Sequence, residues 1–269
     1  MHKDGSIVER NGKRFMDVVK ILPKALPSEK SILWRDWGNG LIEISSDKNS
    51  SRGGTPRPII IKRIIEVDEE SAQLFGLWFG DGIRIQWGSR NVFGFSNIEI
   101  ALHKTFLKLS NDYLSVNSNE FHCSLSLPIF LQNSAQKLEN KISKELDIPI
   151  ENFWKSRINP TRNSLGIDVK INSRLLGFVM HLVLDEFKRT AVKDDNLAIG
   201  MLKGIIASEA NVHVRREGRL GEISIGAEEE NERYFIRQLL LKLKIQPNKD
   251  KTIEHQGCVL IHGLSNFKA

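Results

Sequence analysis

Cysteine is almost absent from this chain: 269 residues contain two, Cys123 and Cys258, and they form no CxxC pair. That excludes a disulfide framework and a zinc ribbon, and leaves two thiols suited to a reducing compartment. No apolar run approaches the roughly 20 residues of a membrane-spanning helix, and no secretory signal is present. Walker, HExxH and GxSxG patterns are missing, so the common NTPase, zincin and hydrolase classes lack support. Acidic residues fall short of basic ones, 33 against 39, for a net charge of +6 and a pI near 9.3. This balance favours a polyanionic partner, nucleic acid before membrane. The hydrophobic content of 40% is ordinary for a globular protein, and the length leaves room for two domains.

What the chain does have is a short pattern that occurs twice. Leu74-Phe75-Gly76-Leu77-Trp78-Phe79-Gly80-Asp81-Gly82 matches Leu202-Lys203-Gly204-Ile205-Ile206-Ala207-Ser208-Glu209-Ala210. Both read apolar, x, Gly, apolar, apolar, x, small, acid, small. The acids stand 128 residues apart (81 to 209), about one small domain, so two related halves each supply one carboxylate. In each copy two small residues, Gly76 and Gly80 or Gly204 and Ser208, are four apart and share a helix face. Bare faces let a second helix approach backbone to backbone. Glycine inside a helix costs about 1 kcal/mol against alanine, so matched glycines in both copies point to a paired-helix seam rather than to two ordinary amphipathic helices. Side-by-side parallel packing would bring Asp81 and Glu209 out together at one end. Helix C-termini disfavour carboxylates, and a bound divalent cation would offset both that field and the mutual repulsion of the acids.

The two copies resemble the LAGLIDADG motif of homing endonucleases. LFGLWFGDG corresponds to the standard form, and LKGIIASEA followed by Asn211-Val212 is similar to the variant with Glu as the acid. The resemblance implies an α+β fold of two pseudo-symmetric αββαββα halves with antiparallel DNA-binding sheets. It implies a monomer that cuts double-stranded DNA at specific sites with Mg²⁺, in an intracellular, nucleoid-associated setting, as an agent of intron homing. Asp81 and Glu209 would be the metal-binding catalytic acids. A lysine often assists in the family, and Lys170 is the candidate here. The second copy departs from the family pattern at Ser208 and Ala210. Ala210 stands where a glycine can take φ > 0 at the helix end, and alanine in that conformation costs roughly 1–2 kcal/mol. The alternative function is a family member without cleavage, binding DNA or intron RNA as a splicing maturase.

Along the chain, residues 1–65 read as a β-rich appendage containing Trp34, Trp37 and the strand-like Leu41–Ile44. Ser45 to Pro58 reads as a loop, and Ile59–Ile61 and Ile64–Ile65 as a strand. Lys48, Arg52, Arg57, Lys62 and Arg63 either touch DNA or form a solvated basic loop. The first half is expected over 66–187. It comprises a motif helix after Asp68, strands at Ile83–Trp87 and Val92–Phe95, and a helix from Ile98 to Leu114. A strand at Phe121–Leu127, an extra helix at Gln132–Leu146, a strand at Gly166–Ile171 and a closing helix at Ser173–Phe187 complete it. A charged linker follows over 188–194. The second half, 195–269, is expected to begin with the motif helix near Asp194 or Asp195. A hairpin at Val212–Arg216 and Arg219–Ile225, a helix at Glu228–Lys244 and a strand at Val259–Ile261 follow. This half is expected to be truncated, because no closing helix succeeds that strand.

Strand alternation places Arg84, Gln86, Ser89 and Arg90 in the first half, and His213, Arg215, Arg216 and Arg219 in the second, on polar sheet faces. A two-stranded ribbon fits the DNA major groove, where Arg pairs with guanine and Gln with adenine. The same residues would also suit a merely solvated strand face.

Overall fold

The computed structural model describes residues 6–26, 31–47, 57–83, 92–214, 220–247, 251–253 and 256–262. The N-terminal region carries β1 (Ile7–Arg10), β2 (Lys13–Asp17), the single-turn α1 (Val18–Ile21), β3 (Ile32–Gly38), β4 (Leu41–Ser46), β5 (Ile59–Lys62) and β6 (Ile64–Glu66). The first motif forms α2 (Glu69–Asp81). After it come β7 (Phe93–Asn97), α3 (Ile100–Leu114), β8 (His122–Leu127), α4 (Ala135–Leu146), β9 (Phe153–Ile158), β10 (Gly166–Ile171) and α5 (Arg174–Ala191). The second motif forms α6 (Asp195–Glu209). It is followed by β11 (Ala210–Val214), β12 (Leu220–Gly226), α7 (Glu230–Lys242), β13 (Lys251–Ile253) and β14 (Gln256–His262). The class is α+β with mainly antiparallel sheets, as the motifs implied.

The chain divides into two compact units that cut across its linear order. One comprises residues 1–67 and 82–184, the other 68–81 and 185–269. The first motif helix therefore groups with the second motif and with residues 185–187 rather than with residues 82–184.

In the first unit, β1, β2 and β6 form one antiparallel sheet and β3, β4 and β5 another. A four-stranded sheet follows in the order β7-β10-β8-β9. Alternation puts Cys123, Leu125, Leu127, Ile167 and Val169 on its buried face. There they join Phe93, Phe95, Phe106 and Phe121, whose rings lie 5.2–6.2 Å apart. Burying such rings is worth roughly 1.5–3 kcal/mol each, which makes this aromatic cluster the anchor of the unit. β9 was not expected from the sequence. It runs parallel to β8, which an antiparallel hairpin cannot supply; the intervening α4 makes the crossover.

In the second unit the sheet order is β11-β12-β14-β13, the same arrangement of four strands as an αββαββ half, with β13 an addition to the strands read from the sequence. Phe79 of α2 packs edge-on against Phe235 of α7 at 5.4 Å, and Phe75 stacks on Phe187 at 4.6 Å. The expected linker at 188–194 is mostly helix. α5 continues to Ala191, which is buried. Lys188 and Arg189 suit its last turn because cations offset the helix C-terminal field, and Arg189 pairs with Glu186.

Candidate functional site

Both motif helices start on a side-chain cap. Ser71 N–H donates to Asp68 Oδ1 at 2.8 Å while Asp68 N–H donates to Ser71 Oγ at 2.9 Å. In the second, Leu197 N–H donates to Asp194 Oδ1 at 2.9 Å. Acids follow in each first turn, Glu69 and Glu70 or Asp195, where the helix dipole favours them. The middles of both helices are buried almost all round, as expected of helices at the centre of a unit.

The two helices run parallel in matched register, and the contact is made by backbone. A Cβ added at Gly76 would lie 2.3 Å from the Met201 carbonyl oxygen and 3.1 Å from Gly204 Cα. One added at Gly204 would lie 2.4 Å from both the Gln73 carbonyl oxygen and the Leu77 nitrogen. At Gly200 it would meet the Glu69 carbonyl oxygen at 2.1 Å and Ala72 Cβ at 2.8 Å. At Gly80 it would meet Ser208 Oγ at 2.0 Å and Glu209 Cγ at 3.0 Å. The seam thus has three layers, Ala72 with Gly200, Gly76 with Gly204, and Gly80 with Ser208. The first of these was overlooked in the sequence, although Ala72 and Gly200 keep the same 128-residue spacing.

Matched register has a direct consequence for the acids. Asp81 and Glu209 are the final residues of α2 and α6, both half-buried, and the Glu209 side chain lies against Gly80, next to Asp81 in the chain. A Cβ on Gly226, at the end of β12, would be 3.0 Å from Glu209 Oε2, so the lack of a side chain there leaves room for the carboxylate. No basic residue stands in the last turn of either helix. Two carboxylates and two helix C-terminal fields of the same sign therefore gather at one end of the seam. Hard oxygen donors of this kind suit Mg²⁺, Mn²⁺ or Ca²⁺. Among the described residues no group of three or more His, Cys, Asp and Glu side chains forms a metal cage. A site of two acids fits a cation that completes its shell with water or other oxygen ligands.

Ala210, expected to be strained, is not. Its backbone is extended at φ −89° and ψ 137°, because the chain passes from α6 straight into β11 without a left-handed turn. Ser208 also fits, its Oγ donating back to the Gly204 and Ile205 carbonyls at 3.0 and 3.2 Å.

The remaining candidates are spread over the two units. Lys170 sits on β10 in the first unit, its ammonium 4.6 Å from the centre of the Trp154 ring, which itself stacks on His122 at 5.3 Å. Burial holds the Lys170 pKa below its usual value; Asp168 opposes the shift and Arg157 adds to it. On the same polar sheet face Ser96 donates to Asp168 at 2.5 Å. Trp154 and His122 had no signal in the sequence, since β9 was not foreseen. His213 is exposed on β11, directly opposite Glu222. Arg84, Gln86, Ser89, Arg90, Arg215, Arg216 and Arg219 lie outside the described residues. So do Lys48 and Arg52, the Gly88–Asn91 and Glu217-Gly218 turns and the last residues from 263 onward.

No family model matches the chain, and no curated protein does. Solved structures do. One is the N-terminal LAGLIDADG domain of DUF199/WhiA, with a TM-score of 0.43 and 12% identity over 74% of this chain and 78% of that one. Full-length DUF199/WhiA from Thermatoga maritima matches at 0.43 and 14%, over 74% of this chain and 52% of that one. I-DmoI in complex with DNA and Mn matches at 0.36 and 16%, over 74% and 92%. The likeness is one of fold. Among the described residues no helix is long and apolar enough to cross a membrane.

Proposed function

We propose that this chain is a divalent-metal-dependent endonuclease that hydrolyses phosphodiester bonds of double-stranded DNA at a specific site. The observation that carries the reading is the parallel, backbone-to-backbone seam of α2 and α6, which ends in one acid from each helix. Four glycines whose places would clash with a Cβ make a costly arrangement, and its product is two like-charged groups at one end. A structural role alone would be served by neutral residues there.

In this reading Asp81 and Glu209 hold Mg²⁺ together with the scissile phosphates. Such a metal, when bound, lowers the pKa of the attacking water and stabilises charge on the leaving oxygen. Gly80 and Gly226 leave space beside Glu209 so that its carboxylate can be oriented. Lys170 is the assisting cation, its pKa held below the usual lysine value by burial. Arg84, Gln86, Ser89, Arg90, His213, Arg215, Arg216 and Arg219 are the proposed DNA contacts, and the net positive charge favours such a partner. One chain carries both acids, so a monomer suffices.

The test selects bound duplexes from a randomised library in Ca²⁺, then adds Mg²⁺ and sequences the ends. Fixed cuts by the wild type that disappear in Asp81→Asn and in Glu209→Gln, with binding retained, support the reading. Enrichment without cuts in the wild type would make the chain a DNA-binding protein that does not cleave. Undiminished cutting by both variants would remove these acids from the mechanism.

A further inference from the structure

The N-terminal sheet of β3, β4 and β5 has an outer strand, β3, that carries two exposed tryptophans. From Leu33 to Gly38 every residue of β3 is exposed, and Leu33, Trp34 and Trp37 are 54%, 45% and 50% exposed. Large side chains on an unpaired edge invite unwanted pairing and are ordinarily kept few. Here they are held in place. The Arg63 guanidinium lies 5.6 Å from the Trp34 ring centre and the Arg35 guanidinium 5.2 Å from that of Trp37. Each guanidinium is in turn fixed by acids, Arg63 by Asp17 at 3.3 Å and Arg35 by Glu43 at 2.8 Å. The turn Gly38-Asn39-Gly40, with φ of 91°, 52° and 78°, closes the hairpin tightly beside Trp37.

Charge identifies the partner. Residues 1–67 contain 13 Lys and Arg against 8 Asp and Glu, a net of +5, so this quarter of the chain supplies nearly all of its +6. Such asymmetry marks a polyanion-binding segment. Exposed indole rings interleaved with arginine and set in a basic module have a specific use: unpaired bases stack on them while phosphates meet the surrounding cations. Bases inside a duplex have no free faces to offer, so the rings select against paired DNA.

We propose that the exposed rings of Trp34 and Trp37 stack on bases of a single-stranded nucleic acid, making the N-terminal module a second nucleic-acid site besides the carboxylate seam. The inference does not depend on the seam being catalytic. It is tested with the full chain in EDTA, by fluorescence anisotropy of labelled strands of about 20 nucleotides, longer than the roughly 4–16 a single small β-domain occupies. Single-stranded DNA, RNA of the same sequence and the matching DNA duplex are compared. The wild type is expected to bind at least one of the single strands, and the DNA and RNA arms show which backbone is preferred. Trp34→Ala/Trp37→Ala should weaken strand binding roughly tenfold or more with duplex binding unchanged. Trp34→Phe/Trp37→Phe should restore much of it, because a phenyl ring still stacks. Circular dichroism checks that each variant is folded. Absence of strand binding by the wild type overturns the proposal, as does equal strand affinity in the wild type and the folded alanine variant. If the alanine variant does not fold, the phenylalanine variant decides: strand binding should quench wild-type tryptophan fluorescence and not that of Trp34→Phe/Trp37→Phe, and equal quenching overturns the proposal.

Discussion

The two motif helices, α2 and α6, share caps, burial and a terminal acid, yet they differ where the seam opens. In the middle layer glycine faces glycine, Gly76 against Gly204, and the close atoms are backbone. In the last layer Gly80 faces Ser208, and the nearest atom is a hydroxyl. Backbone cannot step aside without moving a helix, whereas a serine side chain can rotate. The seam is therefore rigid in its middle and adjustable beside the acids. That explains how the second motif accommodates Ser208 while keeping the register that aligns Asp81 with Glu209.

The largest expected effect breaks the rigid layer. Gly204→Ala should cost about 3 kcal/mol, at the upper end of the range for overpacking, read as a fall in the urea midpoint; an unchanged midpoint would mean that the helices do not touch there. A control of similar size lies outside the seam, in the first unit. His103 is fully buried, with Nε2 3.1 Å from the Asn97 carbonyl oxygen and its ring 5.1 Å from Phe95. Burial lowers its pKa from 6.5 to about 4. The unfolded chain thus binds more protons than the folded one between these values. The contribution is fully present above about pH 6.5, falls as pH drops from 6.5 toward 4, and amounts to about 3 kcal/mol at most. His103→Leu should flatten that part of the stability profile; a slope equal to that of the wild type would remove His103 from it.

In the adjustable layer the effect is smaller. Gly80→Ala should cost about 1 kcal/mol, since helix propensity offsets part of the clash, and adding Ser208→Gly should recover most of it. Failure of the second change to rescue the first would show that the clash is with Glu209 and not with Ser208. Smallest is Ala210→Gly. At an extended position glycine loses about 0.5 kcal/mol through backbone entropy. A gain in stability would show instead that residue 210 adopts positive φ.

Much of the seam was legible from local signals. Capping acids and glycines mark both motif helices to within a residue or so, because caps and close approaches act on the residues that carry them. β10 was likewise legible from plain alternation. β9 was not, since its pairing partner is separated from it by α4 and a parallel register leaves no turn to read. The helical run through Lys188–Ala191 was misread as linker because its charges were counted without the dipole that welcomes them. Trp154 and His122 meet only through that unforeseen β8–β9 pairing.

By itself, the sequence determined that two matched helices exist, that each ends in an acid, and that positive charge is concentrated before the first of them, since all three are properties of spacing and composition. Only the tertiary structure decided that the paired α2 and α6 group with residues 185–269 in one unit apart from residues 82–184, and that Ala210 is extended. These depend on which surfaces bury each other across more than a hundred residues, and no local interaction carries that information.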